Sequence, residues 1–223
     1  MSVDVTLKVA CTLDGKIATK TGMSQWITGL HARQEAHQIR NRHDAILVGV
    51  QTVIQDNPRL DTRNIHQGKS PVRIILDSQG RSPENSLCFR NDGVKVLWVV
   101  GQSCSLRKFG SIKKSNPNVT ILHAPDPRPE PEWLVSILPQ YGIQSLLVEG
   151  GSSIFASFIR ANMAHHLVLF IAPKIIGGQD SLTWCGELEC LTLDQASLLR
   201  ISSVRMVGED IMIHADFNMR NHE

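Results

Sequence analysis

The chain has 223 residues, 42% of them hydrophobic, so it is long enough to bury the core of one large domain. A net charge of +2, scattered basic residues and an aromatic content of 5% do not favour nucleic-acid binding. Five dispersed cysteines without a C-x-x-C pair argue against a disulfide framework or structural zinc. No segment has the ~18 consecutive apolar residues of a membrane helix, and the N-terminus lacks a signal-peptide pattern. The sequence therefore predicts a soluble, cytoplasmic protein.

Apolar patterns predict strands that alternate with helices. The first elements are a strand over 3–12, a helix over 28–42 with Thr28 as its N-cap, a buried strand over 44–50 and a short helical turn from Thr52. Buried strands over 72–76 and 94–100 and a strand over 119–122 follow, then a helix from about Glu132 and a strand over 146–148. A helix over 154–159, a strand over 167–171 and a hairpin of 198–207 and 210–217 end the chain. This order predicts an α/β fold with a mixed sheet that an antiparallel pair closes.

The turn at 149–153 is a candidate phosphate-binding site. Glu149, Gly150 and Gly151 follow an apolar run and precede two serines and a helical pattern. A helix that begins after a glycine pair presents backbone N–H groups at its positive end, which suits a phosphate group. A plain tight turn is the alternative interpretation. The fingerprint G-x-G-x-x-G does not follow the first strand, so a Rossmann site is not predicted.

Three polar residues, Arg33, His37 and Arg40, are spaced i, i+4 and i+7, so they form one stripe on the first predicted helix. Arg63 supplies a further cation. Two guanidinium groups that converge on one point would bind a phosphate monoester in bidentate fashion. The spacing does not show whether they converge, and a solvated stripe is the alternative.

Asp56 lies in an Asp-Asn-Pro run beyond a buried strand and is a candidate proton donor or ligand anchor. An Asx turn before the proline is an equal alternative. The nine histidines form neither H-E-x-x-H nor the zinc-deaminase pattern, so no metal site is predicted. The hydrolase motif G-x-S-x-G is also missing.

Short blocks along nearly the whole chain occur in the order of one known family. They are 8–18, 24–28, 32–33, 44–49, 52–53, the run Asp56-Asn57-Pro58-x-Leu60-x-x-Arg63, 71–77, 149–151, 172–178 and the hairpin near 208–210. In these blocks the chain resembles the reductase domain of riboflavin biosynthesis, an NADPH-dependent pyrimidine reductase. The resemblance implies a dihydrofolate reductase-like fold: a mixed, mostly parallel sheet flanked by helices, with a C-terminal antiparallel hairpin. It also implies a homodimer and a single reductase domain over 1–223, without a deaminase domain.

The family motifs also imply roles for individual residues. NADPH contacts fall on Ala10, Trp26, Thr52, Asp56, Ser78 and a phosphate-cradling loop of Gly151, Ser152, Ser153, Ile154, Phe155, Ala156 and Ser157. Substrate contacts fall on Lys8, Ser24, Arg40, Leu60, Arg63 and Glu149, with the two arginines holding a sugar 5′-phosphate. For Trp26, a core aromatic is the alternative. Asp56, or an ordered water, would protonate the nitrogen when hydride reaches sugar C1′ of the ring-opened imine.

Lys8 bears on the choice of substrate. An ammonium group only donates hydrogen bonds, so it would favour a pyrimidine carbonyl over an amine. This favours 5-amino-6-(5-phosphoribosylamino)uracil, which a separate deaminase of the same pathway would supply. A Lys8 whose stem packs on the sheet while its head reaches water is the alternative. Further alternatives are the non-deaminated diamino substrate, a pterin-like or other N-glycoside substrate, and a non-catalytic nucleotide-binding regulator.

Overall fold

The computed structural model describes residues 3–63, 65–105 and 109–218. They fold as two compact units, which we call the central unit (the described residues of 37–147, with residue 3) and the terminal unit (4–36 and 148–218). The strands are β1 (Asp4–Thr12), β2 (Ala45–Gly49), β3 (Val72–Leu76), β4 (Val96–Val100), β5 (Val119–His123), β6 (Ser145–Val148), β7 (His166–Ala172), β8 (Leu199–Val207) and β9 (Asp210–Phe217). The helices are α1 (Leu30–Asn41), α2 (Val50–Asp56), α3 (Phe109–Ser115), α4 (Pro131–Ile137) and α5 (Ser152–Arg160). Within the described ranges, no helix has the length and apolar character needed to cross a membrane.

The central unit contains a sheet in the order β5-β4-β3-β2-β6. The pairs β2–β3, β3–β4 and β4–β5 are parallel. Every residue of β2 and β4 is buried, as expected for parallel strands that are covered on both faces. Trp98 on β4 is fully buried and packs against the rings of Phe89 and Phe109, at centroid distances of 4.8 and 4.5 Å. The apolar runs of the sequence therefore form the core that their pattern predicted.

The terminal unit contains strands in the order β1-β7-β9-β8. β1 and β7 are parallel, whereas β7–β9 and β9–β8 are antiparallel. Gly208, with a φ of +67°, makes the tight connection between β8 and β9. The predicted fold class is confirmed: the nine strands are mixed and mostly parallel, and an antiparallel hairpin ends the chain.

Two helix predictions were wrong at their N-terminal ends. α1 begins at Leu30, so Thr28 is not its N-cap; the main-chain N–H of Gly29 instead donates to the Asp210 carboxylate at 2.7 Å. An acidic group from β9 thus supplies the negative charge that the start of a helix favours, and local sequence cannot reveal it. α2 begins at Val50, two residues before the predicted turn at Thr52. The sequence did not predict α3, a short helix whose Phe109 and Ile112 are buried.

Candidate functional site

The two arginines predicted to bind phosphate meet at one residue of the central unit, Asp61. Arg40, in the last turn of α1, donates from Nη1 to the Asp61 carbonyl at 3.1 Å. Arg63 donates from Nη1 to the Asp61 carboxylate at 2.6 Å. Both guanidinium groups therefore contact the same residue, one at its main chain and one at its side chain. The structure thus brings together the two cations whose convergence the spacing could not establish.

Asp61 holds a cluster of arginines in place. Its side chain is only 8% exposed and accepts hydrogen bonds from Arg59 Nε at 2.9 Å, from Arg63 and from Arg90 Nη2 at 3.3 Å. Burial alone would raise the pKa of Asp61, but the hydrogen bond from Arg59 and the charge of Arg63 outweigh it and lower the net pKa. Asp61 therefore carries a negative charge that holds the side chains of Arg59, Arg63 and Arg90 in place. Asp61 lies at an unspecified position of the family motif, so the sequence did not indicate it as a site residue.

The cluster continues into the core of the central unit. Arg90 Nη2 lies 2.6 Å from Asp92 Oδ2, and Asp92 is held by both terminal nitrogens of Arg73, one of them at 3.0 Å. Arg73 is fully buried on β3. In the contacts described between these residues, five arginines (40, 59, 63, 73 and 90) meet two carboxylates, those of Asp61 and Asp92. A cluster in which arginines outnumber carboxylates suits an anionic ligand.

His37 also contacts Asp61 and is buried. Its Nδ1 donates to the Asp61 carbonyl at 2.9 Å, which fixes the proton on that nitrogen. Burial lowers the pKa of His37 below 6.5, and the nearby charges of Arg40 and Arg63 lower it further, despite the opposing hydrogen bond. His37 is therefore neutral at pH 7. The positive charge of this site comes from the arginines and not from the histidine.

The predicted site residues on α2 and just after it differ in how accessible they are to a ligand. Thr52 and Asp56 are half-buried on α2, and Asp56 is its last residue. Asn57 caps the helix in the left-handed region, with φ of +42°, and accepts a hydrogen bond from the Leu87 N–H at 2.8 Å. Leu60, predicted to contact substrate, is 1% exposed, so its side chain belongs to the core. Only its main chain could reach a ligand.

Ser78 lies directly after β3, where the loop at Gly101 approaches it closely. The Ser78 carbonyl accepts the N–H of Gly101 at 3.0 Å. A Cβ at Gly101 would lie 2.9 Å from that oxygen and 2.2 Å from the Pro127 carbonyl, so only glycine fits. Ser78 is half-buried, which leaves part of it accessible to a ligand.

Lys8 and Ala10 are half-buried on β1 of the terminal unit. They are two residues apart and therefore point to the same face of the strand. The Lys8 ammonium lies 5.8 Å from the ring centroid of Phe170, which is paired with Ala10 on β7. Lys8 thus presents a partly exposed cation from a rigid strand.

Trp26 lies on the surface and is not a core aromatic. It is 60% exposed, and the Arg33 guanidinium lies 4.5 Å from its ring centroid. Lys174 Nζ donates to the carbonyls of Trp26 and Ile27 at 2.9 and 2.6 Å, so a positively charged side chain holds this loop. Ser24, half-buried, lies in the same loop. An exposed, braced indole is available to stack on a planar ligand.

The predicted phosphate-cradling loop is largely helical. Gly151 is the N-cap of α5, and the other predicted cofactor residues, Ser152, Ser153, Ile154, Phe155, Ala156 and Ser157, lie in the helix. The side chains of Ser152, Phe155 and Ala156 are buried. The helix predicted over 154–159 is present and begins two residues earlier, at Ser152, so the segment 151–157 is helical beyond Gly151 and only its first residue belongs to a loop. Glu149 is half-buried at the end of β6.

The start of α5 keeps the features of an anion-binding terminus. Gly150 has a φ of +113°, and a Cβ there would lie 3.1 Å from the Phe155 ring. No side chain caps the helix at Gly151. The first N–H groups of a helix have no partner within it, so those of the first turn are directed to whatever lies beyond. Among the described residues, no group of three or more His, Cys, Asp or Glu could hold a metal ion.

Comparison with known proteins places the chain in a family. A family model described as the RibD C-terminal domain matches residues 3–213. The chain belongs to this family. It is 37% identical over 209 residues to riboflavin biosynthesis protein RibD of Actinobacillus pleuropneumoniae, covering 94% of this chain and 55% of that protein. The chain thus spans about half the length of the RibD relatives it matches.

A second relative is matched almost from end to end. The 2,5-diamino-6-ribosylamino-4(3H)-pyrimidinone 5′-phosphate reductase of Methanothermobacter thermautotrophicus is 32% identical over 213 residues, which cover 94% of this chain and 95% of that protein. Among solved structures, RibD of Acinetobacter baumannii superposes with a TM-score of 0.83 at 25% identity, over 97% of this chain and 58% of that one. A dihydrofolate reductase of Enterococcus faecalis has a TM-score of 0.54 at 13% identity, over 98% of this chain and 99% of that one. The predicted dihydrofolate reductase-like fold is confirmed.

Proposed function

We propose that this chain catalyses the NADPH-dependent reduction of 5-amino-6-(5-phosphoribosylamino)uracil to its ribitylamino form in riboflavin biosynthesis. The observation that carries the proposal is the convergence of Arg40 and Arg63 on Asp61 in a chain of the RibD C-terminal domain family. Relatives named as riboflavin biosynthesis proteins and as a pyrimidinone 5′-phosphate reductase support it.

Arg40 and Arg63 bind the sugar 5′-phosphate in this proposal. A phosphate dianion complements the charge of the arginine cluster, and guanidinium groups match its oxygens in bidentate fashion. Asp61 keeps both guanidinium groups in place before the substrate arrives, so less side-chain freedom is lost on binding. Asp61 therefore acts as a positioning residue for the phosphate site.

The residues of the terminal unit suit a nicotinamide dinucleotide. The uncapped start of α5 offers N–H donors to its phosphates, and glycine at 150 keeps the approach free of a side chain. The exposed Trp26 ring offers a stacking surface. When bound, NADPH supplies the hydride that reduces sugar C1′. We assign Ala10, Thr52 and Ser78 as further cofactor contacts, and Ser24 and Glu149 as substrate contacts, on the family motifs.

Asp56 is the proposed proton donor to the nitrogen, directly or through an ordered water. It lies at the end of a short helix that Asn57 caps, so its position is set by the main chain. Holding the imine carbon close to the hydride donor is the main contribution of the protein, and such positioning can lower a barrier by roughly 7 kcal/mol or more.

The pyrimidine that the enzyme accepts depends on Lys8. Its ammonium would donate to the carbonyl of the uracil-type substrate and would repel the amine of the diamino type. The second candidate, the diamino substrate, is favoured by the archaeal reductase that the chain matches over 95% of its length. A deamination step would have to supply the uracil-type substrate. We also propose a cytoplasmic homodimer.

We expect the purified protein to oxidise NADPH with the uracil-type substrate at a higher kcat/KM than with the diamino type. Lys8→Met should reduce this preference about tenfold, because it removes one charge-assisted hydrogen bond. Lys20→Met, at a lysine whose side chain is 76% exposed, is the matched control and should leave the preference unchanged. The loss of NADPH absorbance at steady state gives kcat/KM for each substrate, in the wild type and in both variants. A wild-type preference for the diamino substrate would refute the Lys8 assignment, and no oxidation with either would refute the proposed function.

A further inference from the structure

The turn after β1 and the loop after β7 carry two charged side chains that the proposed function does not use. Asp14 lies in the turn and Lys174 in the loop, and both are exposed. A single surface contact of a charged side chain contributes little, but each of these side chains binds two successive main-chain groups. Such contacts hold the path of a chain segment.

Asp14 fixes the main chain of the segment 174–177, which we call the Lys174 loop. Its carboxylate oxygens accept the N–H groups of Ile176 at 3.2 Å and Gly177 at 2.7 Å, and the hydroxyl of Thr12 at 2.5 Å. The hydrogen bonds from Thr12 and Gly177 lower the pKa of Asp14 to about 2. Asp14 is therefore ionised at neutral pH and holds the Lys174 loop as a charged acceptor.

Lys174 extends from this loop to the segment 24–28, which we call the Trp26 loop. Its Nζ donates to the carbonyls of Trp26 and Ile27 at 2.9 and 2.6 Å. An ammonium group makes shorter and stronger hydrogen bonds than a neutral donor does. Because both acceptors are main-chain groups, these bonds fix the course of the Trp26 loop and not merely the rotamer of one side chain.

A second cation holds the next residue of the Trp26 loop. Arg33 on α1 donates from Nη1 to the Thr28 carbonyl at 2.9 Å, and its guanidinium lies 4.5 Å from the Trp26 ring centroid. The carbonyls of three consecutive residues, 26–28, therefore accept hydrogen bonds from two cations. Lys174 holds the main chain at Trp26, and Arg33 holds its ring through a cation–π contact.

We propose that Lys174, held by Asp14 through the Lys174 loop, is a positioning residue that fixes the Trp26 loop for the nicotinamide cofactor before the cofactor binds. A loop that is ordered in advance loses less conformational freedom when its ligand arrives, so the affinity rises without a direct contact. The proposal rests on Trp26 as a cofactor contact, which is part of the proposed function, but not on the identity of the pyrimidine.

NADPH binding to three variants tests the proposal. Lys174→Met removes the ammonium group and keeps the length of the side chain, whereas Lys174→Arg keeps a charged donor. Fluorescence titration without pyrimidine measures the dissociation constant for NADPH. Lys174→Met should raise this constant about tenfold, and Lys174→Arg should stay within about threefold of the wild type, because a guanidinium can donate to the same carbonyls. Lys20→Met, at an exposed lysine that pairs with Asp180 at 2.7 Å, is the matched control and should bind NADPH as the wild type does.

Asp14→Asn tests the other end of the same connection. An asparagine has one acceptor oxygen where Asp14 uses two, so one N–H of the Lys174 loop loses its partner. This variant should also weaken NADPH binding. Asp14→Asn combined with Lys174→Met should bind no more weakly than Lys174→Met alone, because both changes remove one constraint. The urea midpoints of all variants should stay close to that of the wild type, since the changed side chains are exposed.

Three results would overturn the proposal: a Lys174→Met variant that binds NADPH as tightly as the wild type, a Lys174→Arg variant as weak as Lys174→Met, or losses that add in the double variant. NADPH oxidation with the pyrimidine substrate, measured on the same preparations, reports separately on the proposed function. A protein that binds NADPH in the expected order of variants but reduces no pyrimidine would support the role of Lys174 and contradict the proposed reaction. A wild type that binds no NADPH would contradict both.

Discussion

Replacing Arg63 by alanine should raise the KM for the phosphorylated substrate about 10- to 100-fold, because one charge-assisted pair of hydrogen bonds to the phosphate is lost. The KM for NADPH should stay close to that of the wild type. Asp61 keeps Arg59 and Arg90 as partners in this variant, so the local fold should survive. Steady-state kinetics with each reactant varied in turn measures the two constants.

The matched control is Arg42→Ala, which removes the same charge from an exposed position just beyond α1. It should leave both constants unchanged. A substrate analogue without the 5′-phosphate adds a second control, since Arg63→Ala and the wild type should have the same KM for this analogue. An equal loss of affinity for NADPH and substrate in Arg63→Ala would show that Arg63 does not act on the phosphate.

Replacing Asp92 by asparagine should lower the free energy of unfolding by about 3 to 5 kcal/mol, the usual cost of leaving a buried charge without its partner. Arg73 is fully buried, and both of its terminal nitrogens bind the Asp92 carboxylate. An asparagine keeps the shape but removes the negative charge. Urea unfolding followed by circular dichroism measures the change, and Asp126→Asn, at an exposed loop position, is the control.

The pH dependence of stability provides an independent test of the same pair. Burial alone would raise the pKa of Asp92, but the hydrogen bond and charge of Arg73 outweigh it and lower the net pKa below 3.8. A carboxyl group with a depressed pKa in the folded state stabilises the fold above its unfolded pKa, and this contribution is lost as the pH falls through the folded pKa. Wild type should therefore lose stability below about pH 4 more steeply than Asp92→Asn. If the free energy of unfolding of the wild type and of Asp92→Asn fell equally with pH, the ion pair of Asp92 with Arg73 would be contradicted.

The sequence predicted the central sheet well because its strands are buried on both faces. The runs that became β2 and β4 are continuously apolar, the run of β3 is interrupted only by Arg73, and all three are rich in β-branched residues, as is typical of strands buried on both faces. The hairpin of β8 and β9 was also predicted, because Gly208 marks the turn between two apolar segments. The register shift between Ile201 and Ser203, where β8 pairs with β9, was not predicted, since alternation in one strand does not show the register of its partner.

The candidate site was predictable only through the family motifs. They pointed to Arg40 and Arg63 but passed over Asp61, whose role depends on how α1 packs beside residues 59–63. Side-chain burial was the second limit. Leu60 and Phe155 match family positions, yet the structure buries both side chains in the core. A motif identifies a position near a ligand, whereas packing decides whether its side chain or its main chain is available there.

The most direct test of the proposed reductase activity uses NADPH deuterated at both C4 positions, with the uracil-type substrate. Mass spectrometry and NMR of the product should find one deuterium on C1′ of a ribityl chain, because the hydride passes from the nicotinamide to that carbon. A protein that leaves NADPH unoxidised, or a product without deuterium at C1′, would contradict the assignment of this chain as a ribosylamino-pyrimidine reductase.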